Sequence, residues 1–200
     1  IDTWLAQSPD EAAAIAVERG GPLGLKILAP EVAHPALLGG MASVLSTPDA
    51  VRQAAIERLA RLREVAPTAR CRGFILQPMT ARDGAYELTV GVRSGGRFGP
   101  VIYFGQGGPD AVAIDDLAYG LPPLNLHLAR EIMAQTRIYQ RLRYSLLRRA
   151  NLNALALALV KISQMVIDLG ELAALDINPL WSHAQGLLAL DAQVEVAPAV

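Results

Sequence analysis

Alternation of apolar and polar residues marks the first strand of the chain. Over residues 23–28, Leu23, Leu25 and Ile27 would lie on one face of the strand. Gly24, Lys26 and Leu28 would lie on the other face. Lys26 is therefore expected to lie on the face of the sheet that is turned away from the core.

Two helices surround this strand in the predicted order. Ser8 is followed by Pro9 and by Glu11, and this combination is typical of a capped helix that ends at the next glycine pair. A second helix is predicted over 47–65, and the apolar run at 73–79 predicts another buried strand.

The second half of the chain has a different pattern. Two apolar runs, at 86–92 and 100–105, are joined by a glycine-containing segment and predict a hairpin. Two helical stretches follow at about 125–148 and 152–169, and a last hairpin is predicted over 174–195. A glycine-rich loop follows the first hairpin.

This order of elements predicts an α+β fold made of two α/β lobes. The first lobe is assigned to residues 1–77, with its N-terminal part missing, and the second to residues 78–200. A cleft between two lobes is the default place for a ligand.

The last hairpin carries polar side chains in otherwise apolar strands. Strict alternation would place Asp176, Asn178 and Leu180 on one face, and Leu175, Ile177 and Trp181 on the other. A four-residue loop at 183–186 would pair Ser182 with Leu187, and it would then place Asn178 opposite Asp191. An amide oxygen and a carboxylate at this spacing suit Mg²⁺ bound with a nucleotide. A solvated hairpin face explains the same residues without a ligand.

Composition narrows the classes of partner. Hydrophobic residues make up 52% of the chain and charged residues 18%, which indicates a packed core, and the net charge of −1 argues against a nucleic-acid surface. The apolar run at 154–160 is too short to cross a membrane. The start has neither a signal peptide nor an initiator Met, so an excerpt of a longer protein is expected. The single cysteine, Cys71, fits a cytoplasmic location.

Several other residues could bind a ligand or take part in catalysis, or could have only a structural or solvent-exposed role. Lys26 could bind phosphate or be a solvated lysine, and Glu87 interrupts a strand in the same way. The glycines at 105–108 could approach a phosphate, although the loop matches neither a dinucleotide fingerprint nor a P-loop. His34 lies in a loop with prolines and glycines and is a candidate for covalent chemistry.

Taken together, several segments resemble a known family. They are "GLKILAPEVAH", "FILQPM", "FGPVIYFGQGG" and "LDINPL" with the later "LDA". In this order they resemble the ATP-grasp domain of the NDP-forming acyl-CoA synthetases, especially the version joined to GNAT-type lysine acetyltransferases. The resemblance covers nearly the whole chain and implies an ATP-grasp fold with ATP or ADP between its lobes.

The resemblance also implies roles for individual residues. Lys26 would contact phosphate, the hinge residues Gln77 and Met79 would border the adenine, and Glu87 would lie at the nucleotide. The glycines expected near phosphate are Gly39, Gly40, Gly105, Gly107 and Gly108. In related succinyl-CoA synthetases the metal pair maps onto Asn178 and Asp191, with Asp176 as a further candidate. His34 would relay a phosphoryl group, and the CoA-binding and ligase domains would belong to the same longer protein or complex.

The chain departs from the family pattern after His34. The family typically has Lys, Ser or Thr, and Asp there, whereas this chain has Pro35, Ala36 and Leu37. Two hypotheses therefore stand. One is a Mg-nucleotide-binding domain that transfers phosphoryl groups and is incomplete as an enzyme alone. The other is a degenerate module that regulates or assembles an attached acetyltransferase.

Overall fold

The chain divides into two compact units, Ile1–Ala81 and Arg82–Val200. The computed structural model describes residues 2–32, 38, 42–79, 85–108, 111–144 and 150–197. Of the predicted site residues, His34, Gly39 and Gly40 lie outside these ranges. Among the described residues, no helix combines the length and apolar character needed to span a membrane.

Unit 1 is a four-stranded antiparallel sheet with two helices. Its elements are β1 (Trp4–Ala6), α1 (Pro9–Arg19), β2 (Leu23–Leu28), β3 (Ala42–Leu45), α2 (Pro48–Val65) and β4 (Gly73–Pro78). The strand order is β1-β4-β2-β3. Helices α1 and α2 pack on each other and on the sheet. β1 and β3 were not predicted, because strands of three or four residues show too few alternations to be recognised.

Local signals fix the helix starts of unit 1 as predicted. The Ser8 hydroxyl accepts a hydrogen bond from the Glu11 N–H at 3.1 Å, and the Gln7 N–H donates to the Glu11 carboxylate at 2.7 Å. Thr47 caps α2 in the same way, accepting from the Ala50 N–H at 3.2 Å.

Alternation in β2 is also confirmed. Leu23, Leu25 and Ile27 are buried in the core of unit 1, whereas Lys26 is half-buried on the opposite face. The core therefore occupies the side of the sheet on which the apolar residues of β2 lie.

Unit 2 is built on a six-stranded antiparallel sheet. Its strands are β5 (Tyr86–Gly96), β6 (Gly99–Gln106), β7 (Leu117–Gly120), β8 (Leu172–His183), β9 (Gly186–Ala189) and β10 (Ala192–Val196). The order is β10-β8-β5-β6-β7, and β9 also pairs with β8. The helices are α3 (Ala111–Ile114), α4 (Leu126–Ala134), α5 (Arg137–Tyr144) and α6 (Leu152–Asp168).

One face of this sheet carries the core of unit 2. Alternate residues of β5, including Leu88 and Val90, pack with Phe104 of β6 and with apolar residues of α4, α5 and α6 such as Met133 and Leu159. The opposite face carries the residues between them, and it is therefore left for other contacts.

The predicted helix over 125–148 is wrong as one continuous element. It ends at Ala134 and a new helix starts at Arg137. The buried Asp116 carboxylate accepts from the Arg137 N–H at 2.8 Å and from the Ile138 N–H at 2.7 Å, which caps the second helix. The cap comes from a residue 21 positions earlier, and no local signal at the break points to it.

The last hairpin has the predicted register. Ser182 pairs with Leu187. The loop is tighter than the predicted four residues, because His183 and Gly186 also pair and leave a two-residue turn. The structure extends the hairpin into β10, which lies on the same edge of β8 as β9.

A bulge changes which face the residues of β8 occupy. Leu88 of β5 pairs with Leu180 and Val90 pairs with Ile177, so β8 has one extra residue in this interval. The interval contains Asn178 and a cis Asn178–Pro179 peptide bond. Leu180 consequently packs in the core with Ile177, which corrects the expectation that Leu180 shares a face with Asn178.

Candidate functional site

One row of directly paired residues crosses the open face of the unit 2 sheet. Asp176 of β8 pairs with Gly91 of β5, Gly91 pairs with Tyr103 of β6, and Tyr103 pairs with Tyr119 of β7. A Cβ atom at Gly91 would overlap the Tyr103 hydroxyl and the Leu175 carbonyl oxygen. The missing side chain therefore lets the Tyr103 ring lie across β5 and reach β8.

Tyr103 uses this space to hold the Asp176 carboxylate. Its hydroxyl donates to Asp176 Oδ1 at 2.7 Å and also lies 3.3 Å from the Leu175 carbonyl oxygen. The Thr89 hydroxyl is a second donor to Asp176 Oδ1, at 3.2 Å. Burial raises the pKa of Tyr103, the nearby Asp176 carboxylate raises it further, and Arg93 acts in the opposite direction.

The glycine loop after β6 meets the predicted metal ligand Asn178. The Gly108 N–H donates to Asn178 Oδ1 at 3.0 Å, and the Gly107 N–H donates to the Glu87 carbonyl at 3.0 Å. Gly108 has a φ of +90°, and a Cβ there would overlap the Glu87 carboxylate. The structure thus brings together Glu87, both glycines and Asn178, which were separate candidates in the sequence.

Gly105 has a packing reason to be glycine. It lies within β6, where a Cβ would overlap the Asp116 carbonyl oxygen of the segment leading into β7. Its predicted contact with a nucleotide stays a prediction.

Asp191 lies level with Asn178 in the hairpin. The Leu190 N–H donates to the Pro179 carbonyl at 3.1 Å. Pairing with β8 continues in the same register in β10, where Ala192 pairs with Ile177. Asp191, between these two points, is half-buried and takes part in a polar or electrostatic contact. The pairing predicted from the sequence is consistent with this backbone.

The open face of the sheet borders a cavity of about 510 Å³. Its walls include Thr89, Arg93, Tyr103, Tyr119, Asp176 and Asn178. The cavity therefore combines aromatic rings with carboxylate, amide and hydroxyl oxygens, a combination typical of ligand sites.

The oxygen donors around Asn178 fit a magnesium ion. Mg²⁺ is usually held by one or two carboxylates together with substrate phosphates and water. As metal ligands, the side chains of Asp176, Asn178 and Asp191 offer oxygen atoms. Within the described ranges, no group of three or more His, Cys, Asp or Glu residues could hold a metal ion by itself. Asp176, Asn178 and Asp191 could therefore supply part of the coordination of a divalent ion, with water or a bound nucleotide supplying the rest.

Unit 1 brings together two other predicted residues. Lys26 pairs with Ile75, and Gln77, two positions further along β4, pairs with Gly24. Lys26 and Gln77 are therefore diagonal neighbours on the face opposite the core. Lys26 takes part in a polar or electrostatic contact, and the Gln77 side-chain amide donates to the Thr3 hydroxyl at 3.0 Å.

Met79 follows the end of β4. It is buried, and its N–H donates to the Pro22 carbonyl at 2.9 Å, which ties the segment after β4 to the residue before β2. Its predicted role beside an adenine stays a prediction.

Tyr103 and Thr89 were not identified from the sequence. The signal was present but indirect, because it required the register of the β5–β6 hairpin to place Tyr103 opposite Gly91. The loop predicted between these strands covered residues 93–99, whereas β5 continues to Gly96 and β6 begins at Gly99. With the hairpin ends uncertain by several residues, cross-strand partners could not be assigned.

Comparison with known proteins covers nearly the whole chain. The ATP-grasp domain family matches residues 1–196. The acetate–CoA ligase [ADP-forming] I of Archaeoglobus fulgidus is 31% identical over 188 residues, which are 94% of this chain and 27% of the ligase. The chain therefore spans about a quarter of that relative's length.

Shorter relatives match over most of their length. The acetate–CoA ligase [ADP-forming] I subunit beta of Pyrococcus furiosus is 27% identical over 191 residues, covering 95% of this chain and 82% of the subunit.

A solved structure has the same fold. It is the dinucleotide-forming acetyl-coenzyme A synthetase 1 of Ca. Korarchaeum cryptofilum in complex with coenzyme A, Ca-AMPCP and HgCl⁺. It superposes with a TM-score of 0.85 and 27% identity, over 98% of this chain and 85% of that one. The predicted α+β, ATP-grasp fold is confirmed, and the chain belongs to the ATP-grasp domain family.

Proposed function

We propose that this chain binds ATP or ADP with Mg²⁺ as the nucleotide-binding domain of an ADP-forming acyl-CoA synthetase-like protein. The observation that carries the proposal is the hydrogen bond from the Gly108 N–H to Asn178 Oδ1, which joins the glycine loop to the predicted metal ligand beside the cavity. The Korarchaeum relative, whose structure contains Ca-AMPCP, supports a nucleotide ligand.

Each predicted residue has a role in this proposal. Lys26 neutralises phosphate charge, and the glycines of both loops, Gly39, Gly40, Gly105, Gly107 and Gly108, allow backbone N–H groups to approach it. Gln77 and Met79 border the adenine, and Glu87 orients the nucleotide. Asn178 and Asp191 hold Mg²⁺, with Asp176 beside them, and the ion supplies charge neutralisation at the phosphates.

The chemistry assigned to the domain is phosphoryl transfer between a phosphohistidine and the nucleotide. Such transfer depends mainly on positioning and on charge stabilisation, which Lys26 and the backbone N–H groups provide. His34 is the proposed relay within this chain. CoA-binding and ligase domains are placed in the same longer protein or complex, so the chain alone binds nucleotide without completing acyl-CoA turnover.

A second candidate is a degenerate module that regulates or assembles an attached GNAT-type acetyltransferase. The replacement of the usual Lys, Ser or Thr, and Asp by Pro35, Ala36 and Leu37 favours it. It differs from the first candidate in a measurable way, because it requires no Mg-dependent nucleotide binding. The link to an acetyltransferase stays a prediction from the resemblance.

Calorimetric titration with ATP and ADP, at several Mg²⁺ concentrations, tests the proposal. Asp191→Ala should raise the Mg²⁺ requirement more than about tenfold, by loss of a ligand. Lys26→Met should weaken the binding of both ATP and ADP about tenfold at saturating Mg²⁺, because a charged hydrogen bond is lost. Lys161→Met, at the exposed second lysine of the chain, is the matched control and should change neither value.

Two results would contradict the proposal. Absence of heat with either nucleotide at millimolar concentration would reject nucleotide binding by this chain and favour the second candidate. Binding that is independent of Mg²⁺ and unchanged in Asp191→Ala would reject the metal assignment alone.

A further inference from the structure

We propose that Tyr103 is a positioning residue for the divalent ion: it fixes the carboxylate of Asp176 so that one oxygen is presented to the cavity and its ion. The inference rests on the proposed function for the identity of the ion, and it adds a residue outside the set of expected ligands. Tyr103 touches neither nucleotide nor ion in this scheme and acts through Asp176.

The hydrogen bonds of Asp176 are unevenly shared between its two oxygens. Tyr103 and Thr89 both donate to Oδ1, at 2.7 and 3.2 Å. Among residues in the described part of the chain, none donates to Oδ2. Since Asp176 lines the cavity together with Asn178, Oδ2 is the oxygen available to an ion or to the water molecules that Mg²⁺ retains.

Tyr103 itself has little freedom to move. It is 7% exposed, and its ring lies over Gly91 between β6 and β8. A short hydrogen bond from a buried hydroxyl to a carboxylate is among the stronger ones in proteins. The carboxylate is therefore oriented before an ion arrives, and binding costs less conformational entropy than it would with a freely rotating side chain.

The neighbouring tyrosine of the same row provides the contrast. Tyr119 pairs directly with Tyr103 and also borders the cavity, but it is 58% exposed. Its hydroxyl forms no hydrogen bond to any residue that the structure describes. Tyr119→Phe therefore removes a tyrosine hydroxyl from the adjacent strand but leaves the hydrogen bonds of Asp176 in place, and it is the matched control for Tyr103→Phe.

Titration with Mn²⁺ in the absence of nucleotide measures the effect directly. The signal of free Mn²⁺ in electron paramagnetic resonance gives its dissociation constant for the 200-residue chain. Tyr103→Phe should weaken Mn²⁺ binding about tenfold, the lower end of the loss seen when a residue supporting a metal ligand is removed, because Thr89 still holds Oδ1. Tyr119→Phe should stay within about twofold of the unmodified chain.

Two further measurements separate positioning from general damage to unit 2. Nucleotide affinity at saturating Mg²⁺ should be nearly unchanged in Tyr103→Phe, whereas a disordered unit would lose it. In an Asp176→Asn background, Tyr103→Phe should have no additional effect on Mn²⁺ binding, because the residue acts only through that carboxylate. Thr89→Val removes the other donor and gives an independent variant if Tyr103→Phe does not fold.

The outcomes distinguish this inference from the proposed function. Equal Mn²⁺ affinity in the unmodified chain and Tyr103→Phe, an equal loss in Tyr119→Phe, or no Mn²⁺ binding at all would each overturn the inference. A tenfold difference between Tyr103→Phe and Tyr119→Phe without any nucleotide binding would support the inference and reject the proposed nucleotide function.

Discussion

The two sheets of this chain present polar residues in different ways. In unit 1, Lys26 and Gln77 share a face simply because they alternate with core residues on neighbouring regular strands. In unit 2, Asp176 is held by a tyrosine 73 positions away in sequence and Asn178 by a backbone N–H 70 positions away. The first arrangement follows from the alternation of side chains along each strand. The second also requires the pairing register of the strands, the bulge in β8, and a glycine at position 91, where the Tyr103 ring lies across β5.

This difference has an energetic consequence. A polar face made by alternation tolerates substitution at most of its positions, because the direction of each side chain follows from its own strand. The polar face of unit 2 depends on the space above Gly91, which the Tyr103 ring crosses. Substitutions that fill this space, or that remove a distant partner, should therefore affect unit 2 strongly.

Gly91→Ala should have the largest effect. Its Cβ would overlap the Leu175 carbonyl oxygen, which belongs to the backbone of β8 and cannot rotate away, as well as the Tyr103 hydroxyl. We expect unit 2 to lose about 3 kcal/mol of its free energy of unfolding. Urea unfolding in a Trp4→Phe background measures this, because Trp181 is then the single tryptophan and lies in unit 2.

Gly96→Ala is the matched control for this prediction. Gly96 lies at the end of the same strand, and a Cβ there would meet no atom within 4 Å. It should change stability by less than about 0.5 kcal/mol. Similar losses of the free energy of unfolding in Gly91→Ala and Gly96→Ala would show that the number of glycines in β5 determines stability. The position of the Tyr103 ring over Gly91 would then not be the cause.

Asp116→Asn should have the next largest effect. The carboxylate accepts from two backbone N–H groups at the start of α5, and an amide would turn its NH₂ group toward one of them. The expected loss is about 2 kcal/mol in the same Trp181 assay. Asp115→Asn, at the exposed neighbour, should cost less than about 0.5 kcal/mol.

A local cap in unit 1 sharpens this comparison. Thr47 caps α2 from the position directly before it. Thr47→Ala should cost about 1 kcal/mol of the free energy of unfolding, followed through Trp4 in a Trp181→Phe background. If it costs as much as Asp116→Asn, distant and local caps contribute equally, and the contrast between the two units is reduced.

The same distinction explains what could be predicted from the sequence. β2 and α2 have the predicted bounds, because their signals lie within the segments themselves. The register of the last hairpin was predicted because the assumed four-residue loop and the observed two-residue turn both pair Ser182 with Leu187. The interruption before α5 and the inward turn of Leu180 were missed, since Asp116 and the bulge in β8 act through partners elsewhere in the chain. Asn178 and the glycine loop were separate candidates from the sequence, and Tyr103 was not identified as the partner of Asp176.

The stability of unit 2 should also depend on pH in the alkaline range. Burial and the Asp176 carboxylate raise the pKa of Tyr103 above the ordinary value of about 10 for tyrosine. The folded chain thus keeps this proton where the unfolded chain loses it. The stabilisation is fully present below about pH 10 and declines as pH rises further toward the pKa of the folded state, by up to about 1.4 kcal/mol per pH unit.

Tyr103→Phe isolates this contribution from that of the other tyrosines. Between about pH 10 and pH 11, the free energy of unfolding reported by Trp181 should fall less steeply in Tyr103→Phe than in the unmodified chain, because the variant has no proton to release at this position. Tyr119→Phe leaves the bond between Tyr103 and Asp176 in place and should keep the original slope. Parallel slopes in the unmodified chain and Tyr103→Phe would mean that Tyr103 ionises equally in the folded and unfolded states. The hydrogen bond to Asp176 would then contribute too little to distinguish this face from the polar face of unit 1.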